Sequence, residues 1–345
     1  ANPRLYQRRR HRFDPQPSTY EVGSFFEIGS SRNGQNFLDR PFINVKTREG
    51  TMGPTGLSEF WESTIKQLER TEMKASVEES PEESGREFTT YQVVLHSFQN
   101  RRIRAWYSVP NDPPPNGRFP AVLAAPGYGG GKVIPTHLVL NGFVVLTLYP
   151  RGQGESLKEW QLESGTKLTY HIESKEEFYY RGAYMDCIRG LDFLGSRPEV
   201  DPERLGMWSR SQGGGFTLAT ASLDPRLKVA VAEEPFLCNY PLAVDLTSSP
   251  YSELRDYLAQ HPQQRIEVLE TLSYFDCLNL VDRITCPTLV DIGKKDQTCP
   301  YDTIIPVFER IPGPKALHVY PELTHSPCTD FNAHAMSWLR RYLGA

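Results

Sequence analysis

From position 121 onward the chain alternates short apolar runs with longer amphipathic stretches, and that alternation predicts its fold. Ala121-Val122-Leu123-Ala124-Ala125 and positions 143–148, apolar but for Thr147, are runs of strand length, the pattern of strands covered on both faces. A helix over 132–140 is expected between them. A helix over 179–194, a short strand over 205–208, a helix beginning near Phe216 and a strand over 229–232 follow. A mostly helical insertion rich in aromatic residues, about 235–283, interrupts the series. It resumes with a strand at 288–292, a helix at 303–308, a strand at 317–320 and a last helix at 331–342. Strands alternating with helices imply a doubly wound, mainly parallel sheet, the α/β class.

Upstream, Phe60-Trp61, Ile65 and Leu68 recur at helical spacing within 57–73. The acidic stretch 77–86 reads as loop. Positions 91–95 and 103–107 read as two strands of a hairpin or meander, before a firm Pro/Asn/Gly turn at 111–117. Residues 1–55 are polar, irregular and rich in Arg, Gly and Pro, and read as an extended arm over an α/β domain of residues 56–345.

Composition narrows the function classes. The 345 residues are 39% hydrophobic and 23% charged, with a net charge of −4, which argues against nucleic acid or an anionic membrane as main partner. The cluster Arg4, Arg8, Arg9, Arg10 and Arg12 reads as a solvated arm. The 6 cysteines contain no C-x-x-C pair, so neither a zinc site nor a disulfide scaffold is expected. Reduced thiols and the lack of an N-x-S/T acceptor favour the cytoplasm over secretion. The chain begins at Ala1, so a missing leader segment decides nothing.

The chemistry gathers at Trp208-Ser209-Arg210-Ser211-Gln212-Gly213-Gly214-Gly215. Strand, sharp turn, small residues and helix make the context of a nucleophile elbow. Residues two before and two after the nucleophile must be small; for Ser211 these are Ser209 and Gly213. Ser209 fails the same test, because its neighbours are Met207 and Ser211. A Gly-rich turn with two solvated serines is the bland alternative. In this architecture an acid and then a histidine follow the serine, each past a strand end. His318 falls in a strand and His334 on the last helix, whereas His325 lies in the loop between them. Asp296 follows the strand at 288–292, with Asp291 inside that strand as second choice. An oxyanion needs two backbone N–H donors. Gln212 supplies one, and the loop Pro126-Gly127-Tyr128-Gly129-Gly130-Gly131 the other. That loop fits neither a phosphate loop, having Pro126 and Val133 at the diagnostic places, nor a dinucleotide fingerprint, lacking the third Gly. Arg151 and Gln153 read as residues that tie loops together beneath the site rather than bind substrate.

Taken together, Arg151-Gly152-Gln153, Ser209-Arg210-Ser211-Gln212-Gly213 and His325-Ser326 resemble the R-G-Q, G-x-S-Q-G and H-E signature of the acetyl xylan esterase / cephalosporin C deacetylase family of α/β-hydrolases, carbohydrate esterase family seven. Phe60-Trp61, Tyr179-Tyr180-Arg181-Gly182, Pro235-Phe236-Leu237, Pro250-Tyr251-Ser252-Glu253, Thr271-Leu272-Ser273-Tyr274-Phe275-Asp276 and Asp296-Gln297-Thr298-Cys299-Pro300 are similar to it as well. The resemblance implies a triad of Ser211, Asp296 and His325, oxyanion donors at Tyr128 and Gln212, and support from Arg151 and Gln153. It further implies removal of acetyl groups from xylo-oligosaccharides and other small esters, no cofactor, and a homo-oligomer, commonly a hexamer. Ser209 stands for the first elbow Gly, Ser326 for the Glu after the His, and positions 154–177 form a shorter segment than the family loop. Small acyl groups are expected, with Tyr128 and residues near Phe236 limiting the pocket. Two rival readings remain: a hydrolase of other specificity, peptidase or bulkier-acid esterase, and a non-enzymatic binding protein on a decayed scaffold.

Overall fold

The computed structural model describes residues 53–115, 117–246 and 249–344. The expected arm lies outside these, apart from its last three positions. Nine strands form one sheet among the described residues: β1 (Ser76–Glu79), β2 (Phe88–His96), β3 (Arg102–Pro110), β4 (Phe119–Ala124), β5 (Val144–Tyr149), β6 (Val200–Arg210), β7 (Leu227–Glu233), β8 (Thr288–Gly293) and β9 (Lys315–Tyr320). Their order is β1-β2-β3-β5-β4-β6-β7-β8-β9. The first three pair antiparallel, as does β3 with β5; every later pair is parallel. This is the α/β-hydrolase arrangement expected from the βα alternation.

Two apolar layers cover the sheet. On β4, Ala121 and Leu123 face one layer and Val122 the other; on β5, Val144, Leu146 and Leu148 oppose Val145. Cover on both faces is why both strands read as almost wholly apolar runs, broken only by Thr147. Helices α1 (Leu57–Glu69), α3 (Tyr179–Ser196) and α4 (Gln212–Leu223) pack on the first face. Helices α2 (Thr136–Val139) and α10 (Thr329–Leu343) pack on the second. Between β7 and β8 runs the expected helical insertion: α5 (Tyr240–Leu246), α6 (Ser252–Gln260), α7 (Arg265–Ser273) and α8 (Cys277–Leu280). Helix α9 (Tyr301–Arg310) joins β8 to β9.

Two expectations need correction. The helix expected over 132–140 is only the single turn α2, because Pro135 lacks an amide hydrogen and disfavours helix in the residue before it. The stretch 77–86, read as loop, contains most of β1, whose four residues are all exposed. An edge strand made of Ser, Val and two Glu carries no burial pattern for the sequence to show, and its charge protects the sheet edge.

Candidate active site

Three strand ends and one loop converge on Ser211. The chain leaves β6 and enters α4 through Ser211 itself, held at φ 59° and ψ −122°. A non-glycine residue in that region costs about 1–3 kcal/mol and persists only where its surroundings impose it. Here Ser211 N–H donates to Glu233 C=O at 2.8 Å, and Ser211 C=O accepts from Gly215 and Phe236 N–H, each at 3.0 Å. The tight turn leaves no room at position 213: a Cβ there would lie 2.4 Å from the Ala125 carbonyl oxygen and 2.7 Å from Ser209 Cβ. Ser209, two before the nucleophile, is accommodated because its hydroxyl accepts the buried Ala125 N–H at 2.9 Å. The side chain thus fills its space by satisfying an amide that would otherwise be unpaired.

Asp296 follows β8 and His325 follows β9. His325 Nε2 lies 3.0 Å from Ser211 Oγ, and His325 Nδ1 lies 2.7 Å from Asp296 Oδ2. The other carboxylate oxygen accepts N–H bonds from Thr298 at 2.7 Å and Cys299 at 2.9 Å. Asp296 is 4% exposed and Ser211 9%. A carboxylate facing Nδ1 assigns the ring hydrogen to that nitrogen and leaves Nε2 free to take the hydroxyl proton. Asp296, Cys299 and His325 also bring ligand-type atoms within 4.8 Å of one another. A metal there would compete with the Asp296–His325 hydrogen bond.

The other candidates separate. Asp291 does not reach the imidazole; it accepts the Glu234 N–H at 2.8 Å. Burial and the neighbouring Glu233 push its carboxyl up to about 8. His318 and His334 have each other as ring neighbours, 4.2 Å between centroids. The six cysteines are free thiols, Cys299 and Cys328 included.

The amides of Tyr128 and Gln212 have no acceptor among the described residues. Their loops are joined by side chains: Gln212 Nε2 donates to Gln153 Oε1 at 3.0 Å, and Gln153 Nε2 donates to the Tyr128 carbonyl at 3.4 Å. Tyr180 O–H completes this by donating to Gln212 Oε1 at 2.9 Å. Arg151 points elsewhere. Its Nε and Nη2 donate to both oxygens of Asp186 at 2.9 and 2.8 Å, and Nη2 also donates to the Phe98 carbonyl at 3.0 Å. A cleft of about 630 Å³ opens beside Ser211, walled by Pro126 to Gly131, Trp208, Pro250, Thr298 and His325. Arg151, Gln153 and Phe236 are not part of its wall. Phe236 sits behind Tyr128, edge to face at 6.0 Å. The Tyr128 hydroxyl donates to Glu253, and the Lys167 ammonium lies 4.0 Å from its ring centroid.

One residue was passed over in the sequence. Glu234, next to the end of β7, is 1% exposed, with Oε2 at 3.4 Å from His325 Nδ1 and 2.8 Å from Arg210 Nε. Its other oxygen accepts the Ser326 N–H at 3.3 Å. A carboxylate other than Asp296 therefore stands near His325, contributed by the residue just past β7. Two adjacent Glu at the end of the apolar run 229–232 were the available signal.

The sequence of residues 36–342 matches the family model for acetyl xylan esterase (AXE1). The acetyl esterase Axe7A of Xylanibacter ruminicola is 26% identical over 337 residues, covering 94% of this chain and 75% of that protein. An acetyl xylan esterase from Paenibacillus sp. R4 superposes with a TM-score of 0.80 at 30% identity, over 85% of this chain and 96% of the other. Acetyl xylan esterase 1 from Thermoanaerobacterium sp. JW/SL YS485 gives 0.79 at 27% identity, over 89% and 100%. On this sequence match and this shared architecture, the chain belongs to the acetyl xylan esterase (AXE1) family of α/β-hydrolases.

Proposed function

We propose that this acetyl esterase works as a serine enzyme through an acyl-enzyme, on acetylated xylan fragments and other small acetyl esters. The reading is carried by the relay Ser211 Oγ, His325 Nε2, His325 Nδ1 and Asp296 Oδ2, with its links of 3.0 and 2.7 Å. Ser211 Oγ attacks the acetyl carbonyl as its proton passes to Nε2. Asp296 holds the ring and stabilises the imidazolium. The Tyr128 and Gln212 amides receive the oxyanion, Gln212 from the N-terminus of α4, where the helix dipole adds positive potential. Collapse breaks the ester bond, and the imidazolium returns its proton to the leaving alkoxide. Water then attacks the acetyl-Ser211 carbonyl, giving its proton to Nε2, and acetate leaves as Ser211 is reprotonated.

Tyr128 on the cleft wall, fixed by Glu253 and backed by Phe236, supports a preference for short acyl groups. The relatives named for acetyl ester and acetyl xylan hydrolysis support the acetyl substrate. Initial rates of Ser211→Ala on p-nitrophenyl acetate test the mechanism: turnover should vanish in a protein whose circular dichroism is unchanged, and retained turnover contradicts it. An acetyl, butyryl and octanoyl ester series tests the acyl preference, with an aminoacyl amide to expose peptidase activity. Rates that rise with chain length count against an acetyl substrate.

A further inference from the structure

We infer that Glu234 is a second positioning carboxylate for His325, set from the end of β7 to share the Nδ1 side of the ring with Asp296. The inference rests on the reading of Ser211 and His325 given above.

Four observations place Glu234 in that role. The first is distance: Oε2 stands 3.4 Å from Nδ1, and a shift of about 0.5 Å would bring it to hydrogen-bond length. The second is how firmly it is anchored. Its N–H is bonded to Asp291 at 2.8 Å, the preceding carbonyl accepts the Ser211 N–H at 2.8 Å, and Phe236 N–H returns to the Ser211 carbonyl at 3.0 Å. The segment carrying Glu234 therefore wraps the nucleophile turn. Third, Glu234 itself has φ 40°, a backbone region that side chains other than Gly rarely occupy. Such strain at a site edge is held by its surroundings and aims a side chain that a relaxed strand end would send elsewhere. The fourth is chemistry: its oxygens meet Arg210 and the Ser326 amide, and neither contact occupies every acceptor site of a carboxylate.

The other charged or titratable groups around the ring belong to different elements. Arg210 ends β6, and Asp291 lies on β8. Glu233 ends β7 and is engaged by Trp208 Nε1. Asp296 and Cys299 follow β8. The Glu234 carboxyl lies above its ordinary value: burial raises it most and the Asp296 charge adds to that, whereas Arg210 and His325 pull it down. Its charge is therefore best supported when the imidazole becomes imidazolium, as the proposed reaction requires.

The consequence is partial redundancy. Where only one carboxylate orients the imidazole, changing it to the amide costs about ten-thousandfold in kcat. With Glu234 in reserve, Asp296→Asn should retain about 1% of wild-type kcat, a loss well short of that factor. Glu234→Gln alone should lower kcat about tenfold, leave KM within about twofold, and move the acid limb of the kcat/KM profile to lower pH. Adding Glu234→Gln to Asp296→Asn should remove about another hundredfold, more than it removes from the wild type. Equal small factors in both backgrounds with an unmoved acid limb would overturn the inference and leave Glu234 as Arg210's ion-pair partner only. If Glu234→Gln does not fold, Asp296→Asn alone decides: a loss of about ten-thousandfold or more overturns the inference, and about 1% retained supports it. Failure of the underlying mechanism would show differently, as undiminished turnover by Ser211→Ala or His325→Ala.

Discussion

Replacing Arg151 by Met removes a guanidinium that the structure assigns to holding loops rather than touching substrate. In the wild type Asp186 is 0% exposed and accepts four hydrogen bonds. Two come from the Arg151 guanidinium at 2.9 and 2.8 Å, one from Arg151 N–H at 2.9 Å and one from the Ser97 hydroxyl at 2.6 Å. Arg151→Met would keep the backbone donor and most of the volume but leave the carboxylate buried with neutral hydrogen-bond donors, Ser97 and the backbone amide. Breaking a buried ion pair from one side costs about 3–5 kcal/mol. The bond to the Phe98 carbonyl is lost as well. Urea unfolding followed by tryptophan fluorescence should register this loss. The kcat of the folded protein on p-nitrophenyl acetate should stay within about threefold, well short of the hundredfold that removal of an oxyanion donor typically costs. Asp186→Asn combined with Arg151→Met should recover part of the deficit, since both charges are then gone. A stability change below about 1 kcal/mol, the scale of an exposed ion pair, or a hundredfold loss of kcat in fully folded protein would refute the reasoning.

Two further changes probe the elbow and the buried acids. Gly213→Ala puts a methyl 2.4 Å from the Ala125 carbonyl oxygen; the clash displaces either the oxyanion loop or Ser211, and about a hundredfold loss of kcat/KM is expected. Activity within about threefold of wild type would show that the turn yields without disturbing the nucleophile, against that expectation. Asp291, 1% exposed and pushed up to about 8 from an ordinary 3.8, binds a proton more tightly folded than unfolded. Its contribution is therefore full below about pH 4 and is lost as pH climbs toward 8. Asp291→Asn should leave stability near pH 4 almost unchanged and raise it at about pH 9 by on the order of a few kcal/mol. Parallel pH dependences of variant and wild type in urea would contradict that sign.

The parts of the site that follow from topology were legible. An apolar strand run into S-x-S-x-G marks a turn, and in a doubly wound sheet only the loops past later strands can return a histidine and an acid to it. That reasoning alone points to Ser211, Asp296 and His325, and the family resemblance agrees. Features that depend on which way a side chain turns were not legible. The Ser209 hydroxyl meets the Ala125 amide across 84 positions, a long-range fit that no local pattern carries. Glu234 and Glu233 are adjacent and identical in type, yet one faces His325 and the other Trp208. Strand alternation sends neighbouring side chains to opposite faces, and the positive φ at Glu234 turns the chain just past the strand end, but neither says which partner each carboxylate meets. Arg151, in R-G-Q past a strand end, read as a residue that ties loops together beneath the site; which partner it holds, Asp186 within a helix, was not legible.

The central claim, that Ser211 is primed by His325, is tested most directly by covalent capture. The protein is incubated with a fluorophosphonate, its intact mass measured and the modified peptide sequenced by tandem mass spectrometry. The account predicts a single adduct on Ser211, absent from Ser211→Ala and formed far more slowly by His325→Ala. An adduct on another residue, or labelling of His325→Ala at the wild-type rate, would contradict it.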